Sequence, residues 1–230
     1  MNRRWSLLGC SVLLLSTVAA EAPSGSEILA RIESENSRRH SQLKEYSGNR
    51  QYTMQNTRFG MEAAVAVLMN YRQSDGQRYT VVSRSGSDKL NGIIDQVIAS
   101  ERVESQPPES TRRDITAANY RARLLAIEVA AKRSCYVVEL TPRIKNRFLI
   151  VGKVWVDTES FAVVRIEGQF AASVSILLGA PRLTEDFIEV QGYWLPAHVK
   201  SVTSSFLLGP TELEILFSNY QLDRDATPRQ

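Results

Sequence analysis

Every odd position from Met61 to Tyr71 is apolar (Met61, Ala63, Val65, Val67, Met69, Tyr71), while Glu62 and Asn70 stand between them. A period of two is that of a β-strand with one buried and one wetter face. The stretch FLIVGKVWVDTESFAVVRIEG at 148–168 repeats the pattern twice around a short break. In its first half Phe148, Ile150, Gly152, Val154 and Val156 share a face opposite Lys153, Trp155 and Asp157. In its second half Ala162, Val164, Ile166 and Gly168 oppose Phe161, Val163, Arg165 and Glu167. The short Thr158-Glu159-Ser160 connection makes this an antiparallel hairpin with both apolar faces on one side.

The chain supplies many more such segments. Alternation marks strands at about 45–57, 61–72, 77–84, 119–130, 135–140, 148–157, 161–170, 187–191, 197–207 and 212–221. About ten strands joined by short links give a twisted antiparallel sheet whose single apolar face must be covered or filled. Two helices are available for that. Ser24 and Glu27 have capping-box spacing ahead of Ile28, Leu29 and Ile32, so a first helix runs from about Ser26 toward His40. Between Ser87 and Ser105, Leu90, Ile93, Ile94, Val97 and Ile98 recur at helical spacing, opposite Lys89, Asn91, Asp95, Gln96 and Ser100. Pro107 and Pro108 end that second helix. The fold class expected is therefore mainly β (α+β): a large curved antiparallel sheet forming an incomplete barrel, its concave apolar face covered by an amphipathic helix.

The first twenty residues read as a signal peptide. Met1 to Arg4 is basic, Trp5 to Val18 is apolar, and Val18-Ala19-Ala20 has the small-residue form that is cut before Glu21. The expected product is a periplasmic domain, 21–230. A lipoprotein reading through Cys10 leaves an apolar run of only Trp5 to Gly9 before the cysteine, shorter than such signals require. Cleavage removes Arg3 and Arg4 and takes the formal charge from +3 to +1, which gives no basis for nucleic-acid binding. It also removes Cys10, so Cys135 is the one remaining thiol, and the fold rests on packing rather than on an internal disulfide.

Small residues at inward positions (Ala63, Val65, Val67, Ala122, Gly152, Ala162, Gly168) leave room for either a cavity or a tightly packed interior. If a cavity forms, its expected wall is Val65, Val67, Val154, Val156, Val164 and Ile166 from the sheet, with Ile94 and Ile98 from the second helix. Catalytic and metal chemistry find no support. His40 and His198 have no metal-ligand spacing to each other or to Cys135, and no nucleophile elbow or phosphate loop stands between a strand and a helix. Asp157 and Glu159 read as turn residues, and Cys135, before Tyr136-Val137-Val138, reads as a small core hydrophobe. No enzyme activity and no cofactor is expected. A transmembrane barrel also alternates, but Arg165 and Glu167 on one face, the second helix and the polar tail DRDATPRQ oppose it.

The segments ITAANYRARLL (115–125), CYVVELTPR (135–143), GKVWVDTESFAVVRIEG (152–168) and GYWLP (192–196) resemble the bacterial outer-membrane lipoprotein-sorting family with the LolA-like fold. The resemblance covers 115–220 well and the N-terminal half by order of elements; 171–183 departs from it. It implies a curved, incomplete barrel whose concave face receives acyl chains. The partners it implies are lipid or lipoprotein acyl chains, with membrane-associated donor and acceptor proteins, the chain itself being a monomer. The alternative is a non-enzymatic, lipid-sensing regulatory or protein-interaction module on the same fold.

Overall fold

The computed structural model describes residues 22–107, 109–172, 181–205 and 209–223; the expected signal peptide and the tail lie outside them. Helix α1 (Gly25–Gln42) leads into β1 (Glu45–Asn56), β2 (Met61–Arg72) and β3 (Gly76–Gly86). Helix α2 (Asp88–Glu104) and a short 3-10 turn follow, then β4 (Tyr120–Ala130), β5 (Arg133–Pro142), β6 (Ile150–Asp157), β7 (Val163–Phe170), β8 (Arg182–Val190), β9 (Tyr193–Ser205) and β10 (Gly209–Asp223). They form one ten-stranded sheet in the order β3-β2-β1-β10-β9-β8-β7-β6-β5-β4. Every neighbouring pair is antiparallel. The ends β3 and β4 do not pair, so the barrel is incomplete.

Two helices, not one, cover the concave face, and each takes a flank. The capping box expected at the start of α1 is formed: Ser24 Oγ accepts from the Glu27 N–H at 3.3 Å, and the Ser24 N–H donates to Glu27 Oε2 at 2.7 Å. The Ser24 hydroxyl, which also donates to Oε2 at 2.7 Å, and the Ser24 N–H hold the exposed Glu27 carboxyl below the usual range. Ile28, Leu29 and Ile32 are the only residues α1 buries, against Tyr120, Val138, Leu140, Leu149, Val154 and Val156. The helix begins so close to β4 that a Cβ on Gly25 would collide with the Ala122 carbonyl, so glycine there is a packing requirement. Helix α2 covers the other flank, burying Leu90, Ile94 and Ile98 against Tyr52, Met54, Ala63, Val65, Val67 and Ile215.

Two irregularities move residues from the faces that simple alternation gives them. The β6–β7 ladder keeps Val154 opposite Ile166 and Gly152 opposite Gly168, but its register shifts between Trp155 and Val156, so that Val163 and not Val164 faces Val156. Likewise Pro196 lies inside β9, where the register shifts between Asp186 and Phe187. A bulge locally disrupts the ladder, which is where a proline without an N–H is tolerated.

The β6–β7 turn is fastened by Asp157, whose side chain is 2% exposed. Its Oδ1 accepts from the N–H groups of Glu159 (2.9 Å) and Ser160 (2.8 Å) and from the Ser160 hydroxyl (3.1 Å). Arg133 lies 3.2 Å from its other oxygen. These bonds hold the turn in which Phe161 takes a φ of 57°. Burial pushes the carboxyl up, but the hydrogen bonds and Arg133 outweigh it and hold the group below its usual range. A depressed folded-state pKa contributes stability that is present above the unfolded value of about 3.9 and is lost as pH falls through the folded value. Asp157→Ala is expected to cost about 2–3 kcal/mol at neutral pH. Urea unfolding should show the gap between variant and parent closing as the solution is made acidic; a gap independent of pH would remove Asp157 ionisation from the account.

Candidate functional site

Register across the sheet aligns one row of concave-face residues from flank to flank: Val65, Tyr52, Ile215, Val199, Glu185, Ile166, Val154, Val138 and Leu124. Glu185 is the one carboxylate in that row. Each helix packs on its own flank, α1 on β4 and α2 on β1–β3. Between them, over β8, β9 and β10, lies a cavity of about 220 Å³. Its floor is Glu185, Leu195, Pro196, Val199, Ile215 and Phe217, and its rim is the C-terminal ends of both helices, at Arg39 and His40 and at Glu101, Glu104 and Ser105.

One side of the cavity is a charged network. Arg50, 6% exposed, donates from Nη1 to Glu101 Oε2 at 2.6 Å and to the Tyr79 hydroxyl at 2.7 Å, tying β1 to α2. The Tyr52 hydroxyl donates to the same Glu101 oxygen at 2.7 Å. The Arg50 guanidinium lies 5.1 Å from the centre of the Tyr79 ring and 4.9 Å from that of Phe217. Burial pushes the Tyr52 and Tyr79 phenols up, and the Glu101 carboxylate adds to that, so both stay protonated. Arg50 Nε is buried and has no acceptor among the described residues.

The other side is Glu185. It is 9% exposed, no hydrogen bond or ion pair reaches its carboxyl from the described residues, and burial pushes its pKa up against the pull of Arg113. At the rim, burial and then Arg39 push His40 down, and burial pushes Asp114 up.

Seven of the eight residues expected to wall a cavity fall into two groups. Val65, Val67, Ile94 and Ile98 meet in the cluster under α2, and Val154, Val156 and Ile166 in the cluster under α1. Val164 is buried but belongs to neither. None of the eight lines the central cavity. Of the ionisable residues that line it, Arg50, Glu101 and Glu185 were not read from the sequence. Glu185 precedes the strand start expected at Phe187, and an inward glutamate looks like the end of an alternating pattern. The Arg50–Glu101 pair joins residues fifty-one positions apart, a contact that no local periodicity reports. Among the described residues no group of His, Cys, Asp and Glu is arranged to hold a metal ion, and no helix is long and apolar enough to cross a membrane.

No family model and no curated protein matches the chain. Solved structures do. A LolA superfamily protein of Nitrosomonas europaea is similar at 14% identity over 90% of this chain and 96% of its own, with a TM-score of 0.45. A DUF1329 family protein of Desulfovibrio piger is similar at 13% identity, 88% and 93% coverage and a TM-score of 0.44. An outer-membrane lipoprotein-sorting protein domain of Vibrio parahaemolyticus is similar at 12% identity, 89% and 94% coverage and a TM-score of 0.43. The first and third of these carry names of the family the sequence resembles. Likeness at this level leaves the chemistry of this chain to its own residues.

Proposed function

We propose that this chain is an exported, non-enzymatic carrier that binds lipidated or lipid-like apolar cargo on the concave face of its open sheet. The observation that carries the reading is the division of that face: each flank is closed by a helix held through three apolar residues, and the middle strands are left facing a cavity. Burying a side chain of this size contributes roughly 1.5–3 kcal/mol, so a cargo chain that replaces three of them matches the apolar part of what holds either helix down. The cavity of about 220 Å³ is smaller than the roughly 300–1,000 Å³ of sites that hold drug-sized ligands. Acyl cargo therefore needs α1 or α2 to move, which opens the groups around Val154, Val156 and Ile166 or around Val65, Val67, Ile94 and Ile98. Val164, at the bulge, is reached in the same way from the α1 side. Membrane-associated donor and acceptor proteins would load and unload it in the periplasm.

The closed state of both flanks favours a second reading, a lipid-sensing regulatory or protein-interaction module whose helices move when an apolar ligand or partner binds. Native mass spectrometry of residues 21–230 purified from the periplasm separates the two. The carrier is expected to retain adducts of lipid mass in part of the population; a clean apo mass together with a co-purifying protein overturns it in favour of the module.

A further inference from the structure

Beside the central cavity lies a second one of about 380 Å³, lined by Ala99, Ser100, Val103, Phe148 and Phe170 and sharing Glu104 and Arg113 with the first. The two are neighbours across that pair, whose nitrogen and oxygen are 3.7 Å apart. The first space holds more of the ionisable side chains, and the second adds an apolar wall in which Val103 is 58% exposed. We infer that together they form one site for an amphiphile with a single anionic head group, its head at Arg39, Arg113 and Glu185 and its chain along Val103, Phe148 and Phe170. This rests on the carrier reading and names the chemical class of its cargo.

The sign of the head follows from which groups still lack a counter-charge. Arg50 is committed to Glu101 at 2.6 Å. Arg39 has only a 3.4 Å bond to the Trp194 carbonyl, and Arg147 lies over the Phe148 ring at 4.7 Å; neither meets a carboxylate among the described residues. Arg113 meets Glu104 only at 3.7 Å. An anion thus finds three guanidinium groups. A cation finds only the carboxyls of Glu185 and Asp114 outside the ion pairs, and burial disfavours the charged form of both. In its acid form Glu185 instead donates an O–H to the head group, which gives that carboxyl a hydrogen-bond partner. The carbonyl ends of α1 and α2 oppose an anion with about half a charge each, and Arg39, His40 and Arg102 in the last turns offset them.

Binding that requires the acid form of Glu185 weakens as pH rises through its folded-state pKa, by up to about tenfold per pH unit. The other charged and titratable groups around the site are Arg39 and His40 on α1, Glu101 and Glu104 on α2, Arg113 and Asp114 before β4, and Tyr46, Arg50 and Tyr71 on the sheet. Of these, His40 also strengthens an anion site on protonation.

Calorimetric titration of residues 21–230 with dodecanoate, dodecanol, dodecyltrimethylammonium and acetate, all below micelle formation, tests the inference. Dodecanoate is expected to bind at least about tenfold tighter than the alcohol or the cation, and acetate not measurably. Arg39→Gln with Arg113→Gln should erase that preference while leaving the alcohol unaffected. Glu185→Gln, which keeps a donor in place, should retain the preference and lose the pH slope, except for the part that His40→Gln removes. Equal or tighter binding of the alcohol or the cation overturns the anionic site and leaves the carrier standing. A slope unchanged in Glu185→Gln overturns the role of that residue. No binding of any of the three chains, with no lipid adduct on the purified protein, overturns both readings.

Discussion

Glu101→Leu is expected to lower the free energy of unfolding by about 3–5 kcal/mol, the cost of leaving a buried charge without its partner. Arg50 is 6% exposed and cannot shed its proton, so it keeps its charge whatever faces it. Burial pushes its pKa down, but Glu101 more than reverses this, so the carboxylate sets the balance in the folded state. Leucine at 101 leaves the guanidinium with the Tyr79 hydroxyl at 2.7 Å and the more distant Tyr52 hydroxyl at 3.5 Å. Both are neutral groups. The Tyr52 hydroxyl loses its acceptor at the same time. Adding Arg50→Met to Glu101→Leu should recover most of the loss, because an apolar pair of similar volume is often as stable as a buried ion pair. Urea unfolding of the three variants checks the cycle. A loss below about 1 kcal/mol for Glu101→Leu would mean that water from the cavity solvates Arg50, and that the pair does not fasten α2 to β1.

How far the sequence reveals this arrangement depends on whether the cause is local. The hairpin at 148–170 is legible because each strand alternates and its turn is short, and the α1 start is legible because Ser24 and Glu27 cap it at fixed spacing. What disturbs alternation is not legible. A register shift between Trp155 and Val156 puts Val163 where Val164 is expected, although nothing in AVVRI marks an extra residue. The first half of β8, RLTED, looks like a polar link, yet Leu183 faces Gly168 and Glu185 faces Ile166 across the ladder. The sheet is curved enough that the middle of its concave face escapes both helices, so a glutamate at its centre opens onto a cavity instead of a solid core. That is a property of the assembled sheet. Similarly, α1 needs only Ile28, Leu29 and Ile32 to close a flank, and so narrow a stripe gives the sequence little to distinguish a covering helix from a surface one.

The helix α2 should respond to the loss of one side chain as a unit that detaches, and Ile94 is where to test it. Ile94 is fully buried, in one cluster with Leu90, Ile98, Val65, Val67 and Tyr52. Its truncation to alanine in a fixed core would cost about 2–5 kcal/mol and weaken the whole domain. In a helix held by three buried apolar residues and two charged ties, Arg50–Glu101 and Arg84–Asp95, the same loss instead shifts a local equilibrium toward undocking. The expected result is that amides of 88–104 exchange faster in Ile94→Ala while those of β5–β7, on the other flank, keep their protection. An acyl chain that enters beneath α2 should then associate and dissociate faster, since the step that exposes Val65 and Val67 costs less. Ile94→Asp goes further, because an unpaired carboxylate is too costly to bury against those residues and the docked state is lost. Its α2 amides should exchange like those of an open chain, with the sheet still folded through β1–β10 pairing and the α1 cluster. Equal protection of 88–104 with and without bound chain, together with loss of the entire fold in Ile94→Asp, would make α2 a permanent part of the core. The carrier would then have to open on the side of α1, where Gly25 already sits against the β4 backbone and any larger residue would lever the helix away.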